Sequence, residues 1–259
     1  MLSFFDSHAH YMDERFDEDR NELLISLNKE ENVEYIMNVS YDIPSSYKTV
    51  ELCDKYNFCL GAVGVHPHDA DSVTNSDYDL LRKLCEHKKI LAIGETGLDY
   101  YDNQSTRAQQ IEVLNWHFDL AMELNKPVQL HIRNAHGDVI DLMRTRQKEG
   151  RLPRCFVHCF TRSYELAKVY LSLGCYISIA GTVTYTNANR LLETVRMIPI
   201  DRLLIEIDAP WVAPEPYRGS RCEPAYILKT FEKIAELRKM HPEELSRQLW
   251  KNTIELLEI

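Results

Sequence analysis

Of the ten histidines in this sequence, His8, His10, His66, His131 and His158 fall at the ends of short β-branched or aromatic-rich segments. His8 and His10, in Asp6-Ser7-His8-Ala9-His10, project to one side of an extended chain because side chains alternate along a strand. Further segments end in Gly94-Glu95-Thr96-Gly97-Leu98-Asp99, His131-Ile132-Arg133, His158-Cys159-Phe160 and Glu206-Ile207-Asp208-Ala209-Pro210. A lone histidine in such a place is more often a hydrogen-bonded structural group, and Asp-Ala-Pro after a strand is more often a turn or cap. The joint occurrence on five segments points instead to a metal. Imidazoles and carboxylates suit borderline divalent ions such as Zn²⁺ or Mn²⁺, and Mg²⁺ where carboxylate and water dominate. The candidate ligands are His8, His10, Glu95, His131, His158 and Asp208. Six are too many for one four-coordinate ion that must keep an open position. Two ions bridged by Glu95 would use them all and leave each ion a place for water or a substrate oxygen, the arrangement of in-line phosphodiester hydrolysis. No nearby signature supports a Ser/His/Asp or Cys/His nucleophile, and Cys159 and Cys222 read as packed or loop thiols.

Such ligands need elements that bring them to one rim. Eight strand-like segments recur, each followed by a helix-length stretch: Leu2–Phe5, Val33–Val39, Phe58–Val65, Ile90–Gly94, Val128–Ile132, Cys155–Val157, Cys175–Ile179 and Leu203–Ile207. Strands alternating with helices imply a parallel sheet, and eight such units close into a (β/α)8 TIM barrel. In that fold, residues at the carboxyl ends of the strands share the rim on which sites are built. Apolar residues at Ile111, Leu114, Phe118, Ala121 and Met122 predict a helix stopped before Pro127, and two further amphipathic helices occupy Pro224 to Ile259, the second capped at His241-Pro242. The Pro-rich segment Pro210 to Pro224 reads as a long active-site loop, so residues 1–259 are expected to form a single domain.

Bulk properties agree with an enzyme of this kind. With 44% hydrophobic and 27% charged residues, the chain can bury a large core. A net charge of −10 argues against a constitutive, tight nucleic-acid binder, although divalent ions at a site add positive charge that a residue count does not see. The apolar start Met1-Leu2-Ser3-Phe4-Phe5 runs at once into Asp6, without a basic region or cleavage site, and does not read as a signal peptide. No stretch approaches a membrane span. Seven cysteines without a CxxC pair suit a reducing compartment, and the protein is expected to be cytoplasmic, with no obligate protein partner evident.

Taken in order, these segments resemble the TatD-type metal-dependent deoxyribonucleases of the amidohydrolase superfamily. The resemblance rests on Asp6 to His10, Gly64-Val65-His66-Pro67-His68, Gly94 to Tyr101, Pro127-Val128 to Arg133, Val157 to Phe160, and Asp208 to Trp211 with Pro214 and Arg218-Gly219. It implies that His8, His10, Glu95 and Asp208 hold one ion, that Glu95, His131 and His158 hold the other, and that Asp208 also orients the attacking water. It further implies hydrolysis of DNA, single-stranded or from a 3′ end. Three positions depart from the family pattern: Ile207 replaces a Thr, Asn134 replaces an Asp after the Arg, and Cys222 replaces an Asn. They touch substrate contacts rather than metal ligands.

The remaining rim residues suggest how a substrate is held. His66, Arg133 and Arg218 supply donors for phosphate oxygens, with Arg favoured for bidentate geometry, and Tyr100 offers a face on which a base could stack. His68, Arg162, Arg221, Tyr101 and Trp211 are further candidates of the same kinds. Competing readings are a hydrolase of the same superfamily acting on a cyclic amide, a lactone or an aminoacyl-tRNA ester, and a catalytically silent scaffold. Many such amidohydrolases bridge their metals through a carboxylated lysine after strand four, but no lysine lies between Ile90 and Tyr101. A scaffold has no reason to gather so many costly polar groups.

Overall fold

Capping residues cut the chain into alternating strands and helices. The computed structural model describes residues 2–30, 32–102 and 104–259; Met1, with which the apolar start opens, lies outside them. Eight strands follow in chain order among the described residues: β1 (Phe4–Ala9), β2 (Val33–Val39), β3 (Cys59–Val63), β4 (Ile90–Asp99), β5 (Val128–Arg133), β6 (Cys155–Val157), β7 (Tyr176–Ile179) and β8 (Leu203–Ile205). They are hydrogen-bonded in the order β1 to β8, with β3–β4, β4–β5, β5–β6 and β7–β8 parallel. The helices are α1 (Arg20–Glu30), α2 (Ile43–Lys55), α3 (Asn75–Cys85), α4 (Arg107–Leu124), α5 (His136–Lys148), α6 (Tyr164–Ser172), α7 (Asn189–Met197), α8 (Ile227–Arg238) and α9 (Pro242–Leu257). This is the (β/α)8 TIM barrel.

Two compact units are distinguishable. One comprises Met1–Met37, His158–Ser172 and Tyr176–Ile259. Here the segment after β8 returns to β1: the Asp208 N–H donates to the His8 carbonyl at 2.9 Å, and the His10 N–H donates to Ala209 at 2.7 Å. That pairing carries β1 through Ala9, beyond the expected Phe5, and seats His8 in the strand itself. Conversely β8 stops at Ile205 instead of Ile207, because the Ile207 N–H turns to the Asp6 carboxylate at 3.0 Å. The outer helices pack aromatic side chains onto β1, with Phe4 against Phe231 and Phe5 against Trp250. Each fully buried large apolar side chain of this kind contributes roughly 1.5–3 kcal/mol.

The other unit comprises Asn38–Val157 with Leu173–Cys175. Its helices start at explicit signals. Asp42 and Ser45 form a capping box at α2, and the Thr106 hydroxyl accepts the Gln109 N–H at α4. Asn125 ends α4 in the left-handed region, two residues before Pro127. The buried face of α4 is Gln110, Val113, Leu114, His117, Phe118, Leu120 and Ala121, while Met122 is 41% exposed. Two core places go to polar residues that hold the rim, which an apolar pattern cannot reveal. Strand β4 runs five residues past the expected Gly94, and Gly97 is the reason. At φ +153° a Cβ there would lie 1.9 Å from the His131 carbonyl, so only glycine allows β4 to follow β5 this closely.

Candidate metal centre

Two clusters of imidazoles and carboxylates stand at the strand ends, one in each unit. In the first, His8, His158 and Asp208 bring three ligand atoms within 4.8 Å of one another. The Nε2 atoms of His8 and His10 lie 3.0 Å apart and 3.7 and 3.6 Å from Asp208 Oδ1. His158 stacks on His8 with ring centroids 4.0 Å apart. Local backbone produces this convergence: Asp208 sits at φ +55°, a left-handed position that Asp tolerates better than most residues. Behind the ligands lie two buried carboxylic groups. Asp6 accepts from the backbone of His8 and Ile207 and from the Tyr11 hydroxyl, and burial pushes its carboxyl up to about 8. Glu206 accepts the Cys159 N–H at 2.6 Å, and burial raises it too.

In the second cluster, His66, Glu95 and His131 likewise bring ligand atoms within 4.8 Å of one another. His131 Nδ1 lies 2.9 Å from Glu95 Oε1, and His66 Nε2 lies 3.8 Å from the same oxygen. On its far side, His131 Nε2 meets Asp99 Oδ2 at 3.1 Å. Burial opposes the charge on Asp99, but hydrogen bonds from His131 and from the Asp102 and Tyr101 N–H groups hold its carboxyl well below the usual range. Helix α4 fixes both strands from beneath. Gln110 accepts the Asp99 N–H at 2.8 Å and donates to the Asp99 and Ser105 carbonyls. His117 accepts the Val65 N–H at 3.1 Å and donates to Val113, its imidazole kept neutral by burial that lowers it to about 4.

This donor chemistry fits divalent metal. A histidine nitrogen 2.9 Å from a carboxylate oxygen, and two facing imidazole nitrogens, need positive charge between them, as a proton or a metal ion. The first cluster thus gathers His8, His10, His158 and Asp208, and the second gathers Glu95, His131 and the substrate candidate His66. The other substrate candidates lie outside both groups of ligands and are engaged locally. Arg133 donates to Asp102 at 2.7 Å and stacks over Tyr101, the Tyr100 hydroxyl donates to Asp138, and Arg218 stacks over Tyr185. Arg221 is bound to Asp19 and Glu223, and Arg15 covers one face of Trp211. Cys222 is buried, as its reading as a packed thiol requires. Sequence reasoning assigns no role to Asp6, Asp99, Gln110, His117 or Glu206, and reads His68 as a donor for phosphate oxygens, whereas its imidazole meets Asp99 at 3.0 Å. The place of Asp99 was open to discovery, since Glu95, Gly97 and Asp99 share a face once the strand is continued.

The model of the family described as TatD related DNase matches residues 5–258. The chain is 39% identical over 255 residues to the metal-dependent hydrolase YabD of Bacillus subtilis, covering 98% of this chain and 99% of that protein. It is 36% identical over 207 residues to the 3′-5′ ssDNA/RNA exonuclease TatD of Erwinia billingiae, covering 78% of each. The crystal structure of YJJV, the TatD homolog of Escherichia coli K12, superimposes with a TM-score of 0.91 at 26% identity, covering 99% of this chain and 98% of that one. With two His/carboxylate clusters at its strand ends and these relatives along its whole length, the chain belongs to the TatD-related DNase family of metal-dependent hydrolases.

Proposed function

We propose that this protein hydrolyses phosphodiester bonds of DNA, taking single strands from their 3′ ends, with residues 1–259 acting as one catalytic domain that holds two divalent ions, Zn²⁺, Mn²⁺ or Mg²⁺. The observation that carries the reading is the recurrence of donors in two groups, His8 with His10, His158 and Asp208 in one and Glu95 with His131 in the other, where a single four-coordinate ion would need fewer. In this reading His8, His10, Glu95 and Asp208 would hold one ion, and Glu95, His131 and His158 would hold the other. Divalent ions bound by such donors lower the pKa of water and offset phosphate charge. Asp208 accepts the proton of the attacking water, and its left-handed backbone aims the carboxylate without a flexible linker. His66, Arg133 and Arg218 hold phosphate oxygens, and Tyr100 lies beside a base. Seven cysteines without a CxxC pair support a reducing, cytoplasmic setting. Among the described residues, no helix is long and apolar enough to cross a membrane.

Metal analysis of the purified chain, followed by assays on 3′- and 5′-labelled single strands, bis-p-nitrophenyl phosphate, an aminoacyl-tRNA and a cyclic amide, tests this reading. Two ions per chain and shortening from the 3′ end are expected, with activity lost to EDTA and dialysis and restored by a divalent ion. Full activity after chelation, or turnover of the amide or ester alone, would overturn it.

A further inference from the structure

We infer that Asp99 is the positioning residue that decides which nitrogen His131 offers to a metal ion, an inference that rests on the reading of His131 as a ligand. The Asp99 side chain is 0% exposed and held on both oxygens. Oδ1 accepts the N–H groups of Tyr101 at 2.8 Å and Asp102 at 3.2 Å. Oδ2 faces Nε2 of His131 at 3.1 Å and Nε2 of His68 at 3.0 Å. A carboxylate can only accept, so His68 places its proton on Nε2, and His131, which faces a carboxylate with each nitrogen, keeps its proton on Nε2 once an ion takes the proton's place between Nδ1 and Glu95. His131 is left with Nδ1 aimed at Glu95 Oε1, 2.9 Å away. Rotating the ring to offer Nε2 instead would break the Asp99 bond and leave a buried carboxylate oxygen short of a donor, which is costly. The register is fixed as well, since Asp99 pairs with Arg133 on β5 and Gln110 clamps its backbone from α4.

A backbone contact sets His66 independently of Asp99. The His68 N–H donates to His66 Nδ1 at 3.2 Å, so a neutral His66 carries its proton on Nε2 and presents a donor rather than a lone pair toward Glu95. His66 is thereby set for a substrate oxygen and not for a metal. His68, Asp99 and Asp102 also bring three ligand atoms within 4.8 Å. Asp102, however, takes the Arg133 guanidinium at 2.7 Å, and a guanidinium in the shell opposes a cation. The task of Asp99 is to hold protons on imidazoles.

Metal titration of the full-length chain separates the possibilities. Asp99→Asn keeps the shape but removes the charge, and the affinity for the more weakly held of two Mn²⁺ ions is expected to fall about 10- to 100-fold, the usual effect of losing a histidine's outer partner. His131→Ala is the control: if it leaves the metal content unchanged, the ligand reading fails. If it removes an ion while Asp99→Asn binds both as tightly as the parent, this inference alone fails. Should Asp99→Asn misfold, long-range ¹H–¹⁵N spectra of the unmodified Zn²⁺-loaded protein decide, with the His131 signals identified by His131→Gln. A proton on Nε2 with Nδ1 coordinated is expected; a proton on Nδ1 would overturn the assignment.

Discussion

The two ligand clusters are built from the same residue types but are backed in opposite ways. Behind His8 and His158 the carboxyl groups of Asp6 and Glu206 are fully buried, and burial dominates, so both resist ionisation. Behind His131 the carboxylate of Asp99 is equally inaccessible to solvent, yet two imidazoles and two backbone N–H groups converge on it and keep it charged. Depth and donors act together: burial outweighs the donors that meet Asp6 and Glu206, whereas at Asp99 the donors outweigh burial. One cluster is backed by carboxyl groups whose burial disfavours charge, whereas the other is backed by a carboxylate whose donors favour it.

If Asp208 is the principal charge of the first cluster, Asp208→Asn should cause the largest loss. It keeps one coordinating oxygen, so part of the metal and substrate binding should persist while turnover falls by about 10² to 10⁴, the range for a positioned general base. Steady-state kinetics beside metal analysis check this, and near-normal turnover would break the contrast. An intermediate effect is expected from acid. Burial lowers His117 to about 4, against 6.5 in the unfolded chain. Between these values the unfolded state binds a proton that the folded state refuses. Stability is thus unaffected by this group above pH 6.5 and drops by about 3 kcal/mol as pH falls to 4. Urea unfolding across this window should show a shallower dependence in His117→Gln, which keeps an acceptor for Val65. An unchanged slope would remove His117 from the support of the second cluster. The smallest effect belongs to Arg133, 45% exposed and already paired with Asp102. Arg133→Ala should raise KM a few-fold with kcat nearly kept, as for a contact equal in ground and transition states; a loss confined to kcat would instead place it at the transition-state charge.

The barrel and the gathering of its candidate ligands were readable because both follow from simple periods. Alternation placed His8 and His10 on one side, and strand–helix repetition placed five segments on one rim. What escaped depends on long-range geometry. A strand ended at Gly94 hides the fact that Glu95 and Asp99 face the same way, and only the approach of β4 to the His131 carbonyl explains why two glycines do not end it. His117 and Gln110 read as ordinary polar residues of an amphipathic helix, yet they occupy core positions because the rim backbone needs an acceptor and a clamp. The shortened β8 was equally hidden, since a side chain from β1 replaces its ladder partner.

Asn134, Cys159 and Asp208 share a backbone state, with φ of +54°, +43° and +55°, each at the point where the chain leaves the rim. For inheritance this matters more than side-chain function. At such a position the tolerated alphabet is small, because a β-branched or bulky residue clashes with its own carbonyl, whereas Asn, Asp and Gly do not. Asn134 and Asp208 both fall within that alphabet, so substitution at these two places is limited by conformation before it is judged by chemistry.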